Sequence, residues 1–349
     1  MNGLRAQWGN GVVLQSEELV RYVSPIAQAP AAPGVKTRYP NLDLLRLILS
    51  LEVVTLHVSW AWTFWHFNPP ISPVPTFICL SGYLIPGSFE HSRGLGHFAW
   101  KRILRIGPPL ICSFFLVLVL AGPSLVAPTI AYYLSAGLID IKTGNGALWS
   151  LMVEEVLYAQ HALVRILGKV WRPSVIVVLA LLSLIAVWYL IESEQRRIPR
   201  AAFCFFAGNL AFLYRAQLLK ISSIAYGLLA TVLIITNSCI RMPAITAIAL
   251  DGILCVVVVM LGCTLPQMRR PFPDISYGIY VYHFPFIGYW ERFLGEQSWW
   301  TLPVVSISSA LVSLSSWILI ESPVLTWKDR PWFRTTSNPS DTKDKLGST

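Results

Sequence analysis

Along this chain, apolar residues collect into long runs separated by short polar stretches that hold most of the lysine, arginine, glycine and proline. A helix needs roughly 20 mostly apolar residues to cross the hydrocarbon core of a bilayer. Runs of that kind fall at 42–62, 73–90, 106–126, 147–168, 173–191, 201–214, 221–238, 243–264, 276–294 and 302–320. The runs at 73–90 and 201–214 are the short ones, and the former is interrupted by glycine and proline. The pattern predicts an all-α protein, a polytopic membrane bundle of about ten transmembrane helices. Residues 1–41 are polar and proline-dotted and read as an N-terminal tail, 42–323 as the transmembrane domain, and 324–349 as a polar C-terminal tail. The first apolar run begins too late and is too long for a cleavable signal peptide.

Composition agrees with that pattern. Only 13% of the 349 residues are charged, against about 25% in a soluble domain. The hydrophobic share is 54%, and 12% of residues are aromatic, which excludes a disordered chain. The net charge of +9 would suit a nucleic-acid partner, but its distribution argues otherwise. With ten spans and a cytoplasmic N-terminus, 20 lysines and arginines face the cytoplasm and six the opposite side. This is a positive-inside asymmetry. It accounts for the basic excess without nucleic acid and puts both termini in the cytoplasm. The loop 192–200, with three arginines on the outer side, fits least well. The six cysteines form no C-x-x-C pair and mostly lie in apolar segments, so no metal site is expected and they read as small buried hydrophobes.

Ionisable groups inside apolar spans are costly and mark functional candidates. The first span, LDLLRLILSLEVVTLHVSW, contains Arg46, Glu52 and His57. Arg46 and His57 are 11 residues apart, which places them on one helix face about 16 Å apart along the axis. Counting from each span's own start, His57 and Glu154 of LWSLMVEEVLY reach nearly the same depth. They would suit a general base and its orienting carboxylate. Glu155 lies about 100° further round the helix, so only one of the two glutamates would face His57. By the same count His283, in ISYGIYVYHFPF, lies about 10 Å into its span. That is too shallow to meet His57 and suggests a packing or cofactor-contact role. Arg102 and Arg105 in FAWKRILRIGPP lie at i and i+3 at the inner mouth of the third span. There they present two guanidinium forks suited to phosphate, with topology setting as the alternative. His66, His91 and His97 fall in loops, His161 has no acidic partner at its depth, and Asp251 reads as a hydrogen-bonded structural carboxylate or an ion-linked group.

Five segments taken together resemble the membrane-bound acyltransferase 3 family: LDLLRLILSLEVVTLH, FICLSGYLI, FAWKRILRIGPP, LWSLMVEEVLY, and ISYGIYVYHFPF with the late IESP. They occur in family order from Leu42 to Pro323. The chain departs from the family pattern in having Glu52 where an apolar residue is usual and Leu44 where glycine is usual. The resemblance implies a bacterial inner-membrane, multi-pass O-acyltransferase that moves an acyl group from cytoplasmic acyl-CoA to an exported hydroxyl. Acetyl-CoA would be the commonest donor substrate and succinyl-CoA its competitor, with no permanently bound cofactor. An exopolysaccharide, O-antigen or lipid-linked sugar would be the commonest acceptor, with antibiotic and lipid acceptors as alternatives. By the same resemblance His57 matches the essential histidine, Glu154 (or Glu155) would orient it, and Ser81 is a candidate donor to an oxyanion. Arg46, Arg102 and Arg105 would hold the CoA phosphates. A glycan transporter or flippase is the alternative from a different class, although no internal repeat supports it.

Overall fold

The computed structural model describes residues 39–120, 126–134, 145–166, 171–269, 273–295 and 297–329, and among these it contains helices and no strand. Most of both tails lies outside the described residues, as does Lys142, one of the six cations expected on the side opposite the cytoplasm. The principal helices are α1 (Pro40–Ser59), α2 (Pro73–Glu90), α3 (Leu95–Leu120), α4 (Val126–Leu134), α5 (Trp149–Ile166), α6 (Trp171–Tyr189), α7 (Arg197–Leu213), α8 (Ser223–Cys239), α9 (Ala244–Thr264), α10 (Ser276–Leu294) and α11 (Thr301–Ser316). Each apolar run of the sequence overlaps one of these helices. Among the described residues four segments are long and apolar enough to cross a membrane by length and composition: Leu95–Leu120, Arg172–Tyr189, Ala244–Thr264, and Thr301–Lys328, which continues α11.

Two boundaries differ from expectation, for one reason. Helix α3 starts 11 residues before the apolar run at 106, and α7 starts at Arg197 rather than 201. In both, cationic residues on one face of the first turns break the hydropathy without breaking the helix. Arg102 and Arg105 therefore sit within helix α3 rather than just before it. His97, expected in a loop, lies in the first turn of α3. It accepts from the Arg93 amide and bonds the Lys328 carbonyl at 2.9 Å.

Close packing of α2 on α7 depends on two glycines. A Cβ on Gly82 would lie 2.1 Å from the Phe205 carbonyl oxygen, and one on Gly208 would lie 2.1 Å from that of Cys79. The helices thus meet backbone to backbone, as small residues permit within membranes. This seats the neighbouring Ser81 against α5. At the start of α1, the Asn41 side chain bonds the Leu265 and Pro266 carbonyls and the Met268 amide. These bonds tie the beginning of α1 to the end of α9. Asp251, buried in α9, accepts from Arg200 at 2.6 Å, and the same guanidinium nitrogen donates to Ser72. That ion pair accounts for both the intramembrane carboxylate and one arginine of the ill-fitting 192–200 loop. All six cysteines are free, and Cys79, Cys204, Cys255 and Cys263 are buried.

Candidate active site

Helices α1 and α10 run side by side in the same direction, joined at both ends. At one end Arg46 lies 3.9 Å from Asp274, just before α10, and Arg105 of α3 also bonds Asp274. At the other end His57 Nδ1 and His283 Nε2 are 2.7 Å apart. The spacing explains why both junctions close. Arg46 precedes His57 by 11 residues and Asp274 precedes His283 by nine, so the two paths differ by only about 3 Å of helical rise. Burial would raise the Asp274 carboxyl's pKa, but Arg105 and Arg46 outweigh it and hold that pKa at about 2.

Between these ends α1, α2, α3, α5 and α10 enclose a cavity of about 670 Å³, its mouth included. Arg46, Ser81, Arg102, Arg105 and Glu154 all line it. Five of the seven residues singled out in the sequence thus converge on one space. His57 and Glu155 do not line it. Glu155 is exposed. His57 lies one helical turn past the cavity wall, because its partner His283 follows the wall residue Tyr280 by three positions and bonds that residue's carbonyl at 2.7 Å.

The expected pairing of His57 with a glutamate is not present. Glu154 accepts from the hydroxyls of Ser81 and Tyr158, while His57 bonds His283, the residue read as too shallow to reach it. The depth count failed because it took each apolar run as starting at the same level. The Asp274 contact instead sets the start of α10 beside Arg46, more than a turn into α1.

The three arginines are not equivalent. Arg46 and Arg105 share Asp274. Arg102 makes one 3.3 Å bond to Ser88, lies about 6 Å from the Tyr158 and Phe98 rings, and buries its Nε without a hydrogen-bond partner. Tyr277 also lines the cavity and buries an unpartnered hydroxyl. Two residues of the cavity wall, a cation and a phenol, thus each keep a buried donor that the protein leaves unmet. Such groups suit an anionic ligand, because unmet buried donors are costly.

A profile describing an acyltransferase domain matches residues 39–321 and so takes in the cavity and both rings. The chain belongs to the acyltransferase 3 family. This acyltransferase is 25% identical over 350 residues to Nodulation protein 10 of Rhizobium leguminosarum bv. viciae, an alignment that covers 82% of this chain and 93% of the relative. No solved structure matches it. Sequence reasoning missed Asp274 and Tyr277. Asp274 stands just outside an apolar run, where a carboxylate draws no notice, and a tyrosine among many aromatics carries no signal of its own. The gathering of Arg46, Arg102 and Arg105 was the only hint that an organising carboxylate was needed.

Proposed function

We propose that this membrane acyltransferase moves an acetyl group from cytoplasmic acetyl-CoA to a hydroxyl of an exported glycan, an exopolysaccharide or O-antigen type of acceptor. The observation that carries the reading is the single cavity with an arginine cluster at one end and the His57–His283 pair one turn beyond the other. That layout suits a long donor with phosphates at one extremity and a thioester at the other. Arg102 would take a phosphate, with Arg46 and Arg105 adding positive potential while held on Asp274. The pantetheine arm would run along the cavity past Tyr277 and Tyr280 toward His57.

In the transfer step His57 acts as general base. Its ring removes the acceptor's hydroxyl proton as that oxygen bonds to the thioester carbonyl carbon. The tetrahedral adduct then breaks its C–S bond, and the departing sulfur takes the proton from His57, releasing CoA and the acetyl ester. The Ser81 hydroxyl already donates to Glu154, so it would serve an oxyanion only by giving up that bond. Tyr277, a wall residue whose hydroxyl has no hydrogen-bond partner, would be the alternative donor to the bound thioester arm.

The decisive experiment supplies purified enzyme with labelled acetyl-CoA and the glycan. Wild-type protein should release CoA and label the glycan, and His57→Gln should do neither at wild-type protein level. Transport of unmodified glycan with no CoA release would instead favour a flippase.

The proposal extends to ten spans in a bacterial inner membrane, with both termini cytoplasmic. Cysteines placed at Arg241 and Arg269, which flank α9, in a variant lacking the native cysteines should label from opposite sides, with 269 reached from the cytoplasm. Labelling of both from one side would overturn that topology.

A further inference from the structure

His283 is wholly buried and uses both ring nitrogens. Its Nδ1 lies 2.7 Å from the Tyr280 carbonyl oxygen and its Nε2 lies 2.7 Å from His57 Nδ1. A carbonyl oxygen only accepts, so the hydrogen of the first bond belongs to His283 Nδ1. A neutral imidazole carries one N–H, which leaves His283 Nε2 as an acceptor. The contact between the rings needs one hydrogen, and His57 Nδ1 must supply it. His57 Nε2 is then left with its lone pair free. Among the described residues no carboxylate bonds either ring, and charge at this depth is disfavoured, so the neutral assignment holds for both.

We infer that His283 is a positioning residue that fixes His57 as the Nδ1–H tautomer and so presents Nε2 as the base. The inference rests on the reading of His57 as general base. Donation runs in one direction, from His57 Nδ1–H to His283 Nε2 and from His283 Nδ1–H to the Tyr280 carbonyl, and the ring planes lie within 9° of each other. When Nε2 takes the acceptor's proton, the Nδ1 hydrogen stays where it is, and its bond to His283 stabilises the imidazolium that forms. This is the task an aspartate performs in a serine–histidine–aspartate triad. In this acyltransferase a neutral ring performs it, so no further charge is buried. Trp60 and Phe284 pack edge-on against His57, with centroids at 4.6 and 5.5 Å, and limit its rotation. Tyr280 links this device to the cavity, because it lines the wall while its carbonyl anchors the chain of bonds.

The test combines nitrogen NMR with kinetics on detergent-purified enzyme labelled with 15N-histidine. The His57 resonances are assigned by their loss in His57→Gln. In wild-type protein His57 should show a protonated Nδ1 and a bare Nε2. His283→Phe should lower kcat at least about tenfold with the KM for acetyl-CoA unchanged, and the His57 proton should redistribute to Nε2. His283→Gln, which restores a carbonyl acceptor, should recover much of the loss. A bare Nδ1 on wild-type His57, or wild-type kcat in His283→Phe, would overturn the inference. If the Phe variant fails to accumulate, the wild-type spectrum decides alone. An inactive His57→Gln beside a fully active His283→Phe would remove only this inference. An active His57→Gln would remove the base assignment itself.

Discussion

The two ends of the α1–α10 pair solve the problem of polarity inside a membrane in opposite ways. At the Asp274 end, Arg46 and Arg105 share one carboxylate, Arg46 also lies 4.0 Å from Asp43, and Arg102 keeps an unsatisfied buried nitrogen. That end gathers three cations and unspent donors, as a site for an anion should. At the histidine end every ring nitrogen but one is used, within a chain of neutral hydrogen bonds. On the proposed base role of His57, the remaining nitrogen takes a proton only when a substrate arrives. One end would then attract by charge already in place, and the other would acquire charge only during turnover. A low-dielectric interior rewards this division, because strong fields are kept near the rim and the depth stays neutral.

Substitutions can break that contrast, and the largest effect belongs to the histidine end. His57→Gln should lower the rate of acetyl transfer about 10²–10⁴-fold, as loss of a general base does, while CoA binding is retained. A variant keeping more than about a tenth of the wild-type rate would end the comparison. Next is Asp274→Asn. Removing one partner of a largely buried ion pair leaves uncompensated charge and costs about 3–5 kcal/mol, so the thermal unfolding midpoint should drop and less protein should accumulate. An Asp274→Asn protein as stable as wild type would show that the clamp does not set the register.

Arg102→Ala sharpens the distinction among the arginines. It should raise the KM for acetyl-CoA about ten- to a hundredfold, the equivalent of about 1.5–3 kcal/mol for a charge-assisted bond. Stability should hardly change, because Arg102 has no ion-pair partner to strand. Equal destabilisation by Arg102→Ala and Asp274→Asn would collapse the two roles into one. The smallest effect is expected of Glu154→Gln, which keeps an acceptor for Ser81 and Tyr158. It should change KM by less than about tenfold and leave kcat near wild type, because Glu154 belongs to the cavity and not to the ring pair. A selective fall in kcat would return Glu154 to the base.

Much of this arrangement was legible in the sequence. Hydropathy located the helices, the cost of intramembrane charge singled out Arg46, His57 and Glu154, and the i, i+3 spacing singled out Arg102 and Arg105. Four of these line the cavity with Ser81. The relative level of the helices was not legible. Depth counted along a single helix is sound, but comparing two helices requires knowing what pins them together. That pin is Asp274, which lies outside every apolar run. With α10 counted from its own start, His283 fell about 12 Å short of His57 and Glu154 took its place. Hydropathy also treats a cation as the end of a helix, although the inner face of a bundle can hold several. For that reason α3 was expected to begin after Arg102 and Arg105 rather than before them.

The bond between His57 and His283 joins residues 226 positions apart, and this separation sets a clock on the protein's synthesis. At ribosomal rates of roughly 5–20 residues per second, about 11–45 s pass between the two histidines. Throughout that interval α1 resides in the growing chain with its ring unpartnered. On the proposed reading of His57 as base, the enzyme stays inert until α10 has been made and packs beside α1. Catalytic competence would then be acquired in one late step, and a ribosome that stalls before residue 283 would leave behind helices without chemistry.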